Sequence, residues 1–183
     1  SFGNTAWLSP GNATASDNST TSVQISGGNT AYFLRADDFG WTTGDIPSGA
    51  TIRGIEARVE AQERVQAGLG CVIGSIRVVD EGGSVGGDNQ ANDESLTGTD
   101  TYYTYGGSSE LWDSSWTDGS IRDPDFGFVM LPQLDFGDIA CVARVDHMQM
   151  RIYYSEDTGA DNLAFTDAVG SQKLTTGGEL ETA

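Results

Sequence analysis

The residue types that could do acid–base chemistry are led by a single histidine, His147, which follows Asp146 in the chain. Successive side chains of a regular strand point to opposite faces, so this carboxylate is expected to point away from the imidazole. A serine triad needs three converging side chains, and nothing in the spacing brings a serine to this pair. Paired carboxylates for glycoside hydrolysis remain an alternative, because acidic residues are abundant. We therefore expect no catalytic residues and a protein that is not an enzyme.

Calcium is the one ion for which the sequence offers clustered ligands. The donors lie in a glycine-rich acidic segment, and they are Asp88, Asn89, Asn92, Asp93 and Glu94. Carboxylate and amide oxygens in a flexible loop are typical calcium ligands, although the spacing is not that of an EF-hand. Smaller acidic clusters lie at 37–38 and 123–125. Solvated acidic loops are the simpler interpretation, so no cofactor is predicted and calcium stays open.

Aromatic residues are concentrated in the segment 102–116. The candidates for a ligand-binding surface are Tyr102, Tyr103, Trp112 and Trp116, with Tyr105 beside them. Exposed aromatic rings stack on sugars, but tyrosine and tryptophan also favour cores and protein interfaces. We favour core packing and subunit contact, and keep sugar binding as the alternative.

The charge balance excludes two classes of partner. The chain has 27 acidic and 9 basic residues, a net charge of −18. Such a chain cannot neutralise phosphates, so neither nucleic acid nor an anionic membrane is expected to bind it. No apolar run is long enough for a transmembrane helix. The acid excess fits either a highly soluble domain or adaptation to a saline habitat.

Two cysteines, Cys71 and Cys141, lie in apolar, strand-like runs. Buried free thiols are common, because cysteine is among the most buried residue types. Two cysteines in a chain of this length are no disulfide framework. We favour free thiols, with a disulfide as the alternative.

The elements that must position these residues are strands. In the segment 55–62 apolar and polar residues alternate, which predicts a strand with one wet face. Residues 71–79 and 139–154 predict further strands, the second with a bulge or a sheet edge near Val145. With 25 glycines the composition disfavours long helices, and the long acidic segment 80–98 predicts a loop.

Together these strands predict an all-β fold, a single jelly-roll-like antiparallel β-sandwich. The domain is expected to span residues 1–154, with 155–183 forming a polar C-terminal extension or assembly arm that lacks a core of its own. The expected core residues are Ile55, Val59, Val72, Ile76, Val78, Val142, Met150 and Ile152.

Several short motifs follow one another along the chain. They are the segments 7–13, 31–35 with Phe39-Gly40, 46–55, 105–112, 116–127 and 143–154. The most specific combination is the Ile-Pro-x-Gly-Ala-Thr-Ile-x-Gly-Ile run at 46–55 with the Tyr-Gly-Gly…Leu-Trp…Phe-Gly series at 105–127. In this order the motifs resemble those of a β-sandwich family of tailed-virus structural proteins.

The resemblance implies a non-enzymatic virion component on the outer surface of the particle. The expected role is capsid decoration, as a cement or spike protein of a virus from a marine or saline habitat, with a tail-fibre or receptor-binding module as the alternative. The partners it implies are the major capsid protein or neighbouring decoration subunits, in a homotrimer. A calcium-dependent carbohydrate-binding module is the alternative from another class.

Overall fold

The fold is an all-β sandwich of two antiparallel sheets, seen in a computed structural model that describes residues 3–64, 70–156, 165–169 and 173–176. The strands are β1 (Thr21–Ser26), β2 (Leu34–Asp37), β3 (Thr51–Glu63), β4 (Cys71–Val79), β5 (Val85–Gly86), β6 (Glu94–Ser95), β7 (Thr101–Gly106), β8 (Gly127–Leu134), β9 (Ala140–Ser155), β10 (Phe165–Val169) and β11 (Lys173–Thr176). In these residues the helical elements are a 3₁₀ turn, Pro10–Ala13, and the single-turn α1, Asp118–Ile121.

The strand order is that of a jelly roll. One sheet runs β1-β9-β3-β7, and the facing sheet runs β2-β8-β4-β5, with β6 also paired to β4. The chain therefore passes between the two sheets along a doubly wound Greek-key path. Within the described part of the chain, no helix has the length and apolar character needed to cross a membrane.

The pairing of β3 with β9 forms the middle of the first sheet. The alternation that predicted β3 is confirmed, since Ile55, Ala57 and Val59 are fully buried against the facing sheet. The intervening residues Glu56 and Arg58 remain on the outer face, where they are partly exposed. In a strand with this alternation, the local sequence determines which face is buried. A shift of one residue in the pairing register would expose the apolar face, so burial fixes the register.

A bulge divides β9 into two phases. Opposite β3, Glu60 pairs with His147 but Ala61 pairs with Val145, so Asp146 is the extra residue. Before the bulge Cys141, Ala143 and Val145 are buried, and after it Met148 and every second residue to Tyr154 are buried.

The predicted burial of Val142 is therefore wrong, because the phase before the bulge is shifted by one residue. Val142 lies on the outer face and is only half-buried. The other predicted core residues are buried, namely Ile55, Val59, Val72, Ile76, Val78, Met150 and Ile152.

Other elements differ from the sequence expectations in detail. The strand β1 was not predicted, and the predicted loop 80–98 contains the two short strands β5 and β6 along the edge of β4. Both are short because glycine and acidic residues interrupt the ladder between them.

Parts of the predicted C-terminal extension pair with the sandwich. Strand β10 adds to β9 beside its last residues, and β11 adds to the outer edge of β2. These two strands therefore pair with the sheets of the sandwich. The rest of that extension lies outside the described residues.

A disulfide joins the two sheets, and the expectation of free thiols is wrong. Cys71 begins β4 in one sheet and Cys141 lies at the start of β9 in the other, with Cα atoms 5.4 Å apart. Both side chains point into the core, where the sheets face each other. The sequence could not show this, because the two residues are 70 positions apart and meet only in the folded sandwich.

Removing this crosslink is expected to destabilise the domain without changing its fold. A disulfide that closes so long a loop restricts the unfolded chain, so Cys71→Ser with Cys141→Ser should lower the free energy of unfolding by about 2–4 kcal/mol. Urea unfolding measures this, with chemically reduced wild type as the matched control. Two titratable thiols in denatured, unreduced wild type would contradict the crosslink.

Candidate functional site

The outer face of the first sheet carries a group of polar and ionisable side chains. There Tyr102, Glu60 and His147 lie in one cross-strand row of β7, β3 and β9. The Tyr102 hydroxyl is 3.1 Å from His147 Nδ1, and the Arg58 guanidinium lies 4.4 Å from the centre of the Tyr102 ring. This cation–π contact and hydrogen bond hold the row in place.

The bulge brings Asp146 to the same neighbourhood as His147. The expectation that the two side chains point to opposite faces is wrong, because it assumed a regular strand and Asp146 is the bulged residue. Asp146 is 2% exposed, and its Oδ2 accepts a hydrogen bond from the Asn18 amide at 3.1 Å.

Three buried carboxylate oxygens of this cluster have no hydrogen-bond partner. They are Oδ1 of Asp146, Oδ1 of Asp100 and Oε2 of Glu60. Burial raises the pKa of Asp146 and of Asp100, and the neighbouring carboxylates raise it further. Burial also lowers the pKa of His147, against the opposing influence of Glu60 and Asp146. Burial therefore shifts the pKa values of Asp146, Asp100 and His147 in the direction that favours their neutral forms.

The carboxyl and imidazole groups of this cluster are suited to acid–base chemistry. Among the described residues, no three His, Cys, Asp or Glu side chains are placed to hold a metal ion. We therefore describe the cluster as a polar sheet face on which the charges of Asp100, Asp146 and Glu60 influence one another.

The predicted calcium ligands have other structural roles. Asn89 caps the backbone of β4, because its Oδ1 accepts from the Ile76 amide at 2.9 Å and its Nδ2 donates to the Gly74 carbonyl at 3.0 Å. Glu94 Oε2 accepts from the Asn92 amide and from the Tyr105 hydroxyl. These bonds fix the segment along β4.

The remaining candidates of that segment do not complete a cation site. Asp88 donates its amide to the Trp112 carbonyl at 3.1 Å, and Asp93 is exposed with a positive φ of 55°. Calcium binding stays a prediction, and nothing in this geometry supports it.

The two smaller acidic clusters are brought together by an arginine. Arg35 Nε lies 2.6 Å from Asp37, and its guanidinium also lies 3.6 Å from Asp125. Burial raises the pKa of Asp37, while Arg35 opposes that rise. An ion pair already neutralises part of this charge.

The aromatic candidates are divided between core and surface. Trp112 is fully buried, and Trp116 packs edge-on against Phe126 with ring centres 5.1 Å apart. The Tyr103 hydroxyl bonds the backbone of the segment before β7, at Ser95. Tyr102 is the candidate whose ring lies on the open sheet face, and there Arg58 already covers it. These rings do not form one exposed platform.

The most specific motif segments meet at the backbone of Ile55. Its carbonyl accepts from Gly107 N and from Trp112 Nε1, both at 3.0 Å, and its amide donates to the Glu110 carbonyl at 2.9 Å. Gly106 has φ 75°, and a Cβ there would collide with the Ile55 carbonyl and the Trp112 indole. We refer to these contacts as the Ile55 lock. The motif residues in it hold the segment after β7 against β3.

The sequence contains one catalytic motif that was not among the predicted sites. Residues 82–86 read Gly-Gly-Ser-Val-Gly, the spacing of a hydrolase nucleophile elbow. Ser84 lies in the turn between β4 and β5, where Asp80 Oδ1 accepts from the Gly82 and Ser84 amides at 2.9 Å. The strand-to-helix setting is lacking in this described segment, so the match is a β-turn.

Comparison of the chain with protein-family models, with curated proteins and with solved structures finds no match.

The burial of Trp112 predicts a stability defect when its indole is removed. Trp112→Ala should lower the free energy of unfolding by about 3–5 kcal/mol, because a large side chain leaves a cavity and the Ile55 carbonyl loses a donor. The half-buried Trp116→Ala is the matched control and should cost less. Urea unfolding measures both. A Trp112→Ala protein of wild-type stability would contradict the Ile55 lock.

The raised pKa of Asp146 predicts that ionisation of this group opposes folding. Its contribution to stability is greatest below the ordinary Asp value of about 3.9 and is lost as pH rises through the higher folded pKa. Asp146→Asn keeps the acceptor for Asn18 and removes the charge, so it should raise the melting temperature at pH 7 more than at pH 4.

The matched control is Asp45→Asn. Hydrogen bonds from the Thr42 amide and hydroxyl lower the pKa of Asp45, so this change should reduce stability at pH 7. Melting curves from pH 4 to 8 make the comparison. A lower melting temperature for Asp146→Asn at pH 7, unchanged at pH 4, would contradict the assignment.

Proposed function

We propose that the chain is a non-enzymatic virion structural protein that decorates the outside of a tailed-virus capsid as a cement or spike protein. The observation that carries the proposal is the jelly-roll strand order, built around the motif segments that resemble the viral family. Jelly rolls are a recurrent architecture of viral capsid proteins. The Ile55 lock depends on residues of two of those segments, so residues that carry the resemblance also hold this fold together.

The disulfide and the charge support an extracellular particle in a saline habitat. A crosslink between the sheets persists in oxidising surroundings, such as those outside a cell. A net charge of −18 repels itself over about 30 Å at 0.01 M salt, but over only about 3 Å at 1 M. A marine or saline origin would therefore remove the cost of this acidity.

The proposed partners are the major capsid protein and neighbouring decoration subunits, in a homotrimer. A tail-fibre or receptor-binding module is the second candidate of the same class, since the same sandwich could stand at the tail.

The carbohydrate-binding alternative has one observation in its favour and one against it. Jelly rolls also occur as lectin domains. However, Trp112 is fully buried and the other candidate rings do not share an open face. Virion decoration is therefore the better supported of the two.

Labelling of purified particles tests the proposal. Gold-conjugated antibody against the chain should decorate the heads of particles from the virus that encodes it, and particles lacking the gene are the control. Label at the tail tip would overturn the decoration role in favour of the fibre module. Particles without any label would overturn the virion assignment.

A further inference from the structure

The hairpin between β8 and β9 carries an unusual pair of exposed apolar side chains. Phe136 is 103% exposed and Ile139 is 75% exposed. Among the described residues the only other large hydrophobic side chain that is exposed is Leu8, at 68%. We refer to residues 135–139 as the hairpin tip. Phe136 and Ile139 belong to one hairpin, whereas Leu8 belongs to the N-terminal segment before β1.

The backbone of the hairpin tip is held at several points. The Asp135 amide donates to the Gly70 carbonyl at 2.9 Å, and the Ile139 carbonyl accepts from the Gly27 amide at 3.0 Å. These bonds tie the tip to the two neighbouring loops of the same end of the sandwich. Within the tip the Asp138 amide donates to the Asp135 carbonyl at 3.1 Å, which closes the turn.

The disulfide strengthens this arrangement. Cys141 follows Ile139 by two residues, and its partner Cys71 follows Gly70, so the crosslink lies directly behind the tip. A tip held in this way loses little conformational entropy when it binds. Exposed phenylalanine and isoleucine on a rigid turn are therefore suited to act as binding anchors.

The charges around the tip indicate the chemistry of the partner. Asp135 and Asp138 flank Phe136, and both are partly exposed. A complementary surface would have an apolar pocket with arginine or lysine at its rim.

A second copy of the chain is poorly suited to supply that rim. The chain has nine basic residues against 27 acidic ones. Several arginines are already engaged, since Arg35 and Arg122 form ion pairs and Arg58 covers Tyr102. The partner is therefore expected to be a different protein.

We propose that the hairpin tip is the surface by which the chain docks onto a partner protein, inserting Phe136 and Ile139 into a basic-rimmed apolar pocket. The inference deepens the proposed function and rests on it, because it identifies the partner with the particle surface that carries the decoration. The flanking carboxylates steer the encounter, and the two apolar groups supply the affinity.

Rebinding to particles assembled without the chain tests this docking surface. Wild type and the double variant Phe136→Ser with Ile139→Ser are titrated onto such particles, and bound protein is measured after sedimentation. The double variant should bind at least about tenfold more weakly, as expected when a binding anchor is lost. Leu8→Ser is the matched control, because it removes an exposed apolar side chain elsewhere, and it should bind as wild type.

The charged rim is tested in the same assay. Binding of wild type should weaken as NaCl rises from 0.1 to 0.5 M, and Asp138→Asn should reduce this dependence. Unchanged salt dependence in Asp138→Asn would overturn the basic-rim assignment. Circular dichroism and melting curves confirm that each variant is folded before binding is compared.

The remaining outcomes separate the docking surface from the proposed function. If wild type binds the particles and the double variant binds equally well, the docking surface is wrong while virion decoration stands. If wild type does not bind these particles, the proposed function is wrong and the inference falls with it. If the double variant instead converts a wild-type oligomer to monomers in analytical ultracentrifugation, the tip contacts a second copy and the heterologous partner is wrong.

Discussion

The pairing of β3 with β9 is the interaction on which the rest of the structure depends. These two strands form the middle of one sheet and pair from Thr51 with Ser155 to Glu63 with Ala143. Their inward residues supply much of the core, while their outward residues form the polar face that contains His147. β1 and β10 pair with β9, and β7 pairs with β3, so the other strands of this sheet are placed by the central pair.

Two features of the β3–β9 pair determine where the carboxyl cluster and the segment after β7 lie. The bulge at Asp146 turns its carboxylate toward Glu60 and His147, which creates the coupled carboxyl cluster. At the other end of β3, the backbone of Ile55 receives Gly107 and Trp112 and so fixes the segment after β7. The disulfide at Cys141 then ties the start of β9 to the facing sheet. The positions of the polar face and of the hairpin tip therefore both depend on the β3–β9 pair.

The sequence was a good guide where a local pattern decides the structure. Alternation in β3 and the apolar run of β4 indicate which residues are buried, so the sandwich could be predicted, as could the burial of Ile55, Val59, Val72, Ile76 and Val78. The bulge near Val145 could also be anticipated from charged residues on an otherwise apolar face. The phase of Val142 could not, because a single extra residue reverses the alternation on one side of it.

Features that depend on contacts between distant residues could not be predicted. Cys71 and Cys141 are distant in sequence, and nothing local to either of them indicates the other. Core packing was the favoured role for the aromatic segment, but the hydrogen bond from the Trp112 indole to the Ile55 carbonyl joins residues 57 positions apart and could not be predicted. The carboxyl cluster could not be predicted either, because Asp100, Asp146 and Glu60 come from three separate segments that meet only in the folded sheet.

Amide hydrogen exchange of the intact, oxidised chain, followed by mass spectrometry of its peptides, tests the central role of the β3–β9 pair most directly. Amides in the most stably paired strands exchange slowest, whereas those of edge strands and loops exchange faster. The account predicts that peptides from Thr51–Glu63 and Ala140–Ser155 are the last to exchange, with the edge strand Thr101–Gly106 faster. Exchange in β3 and β9 as fast as in the segment 80–98 would contradict it.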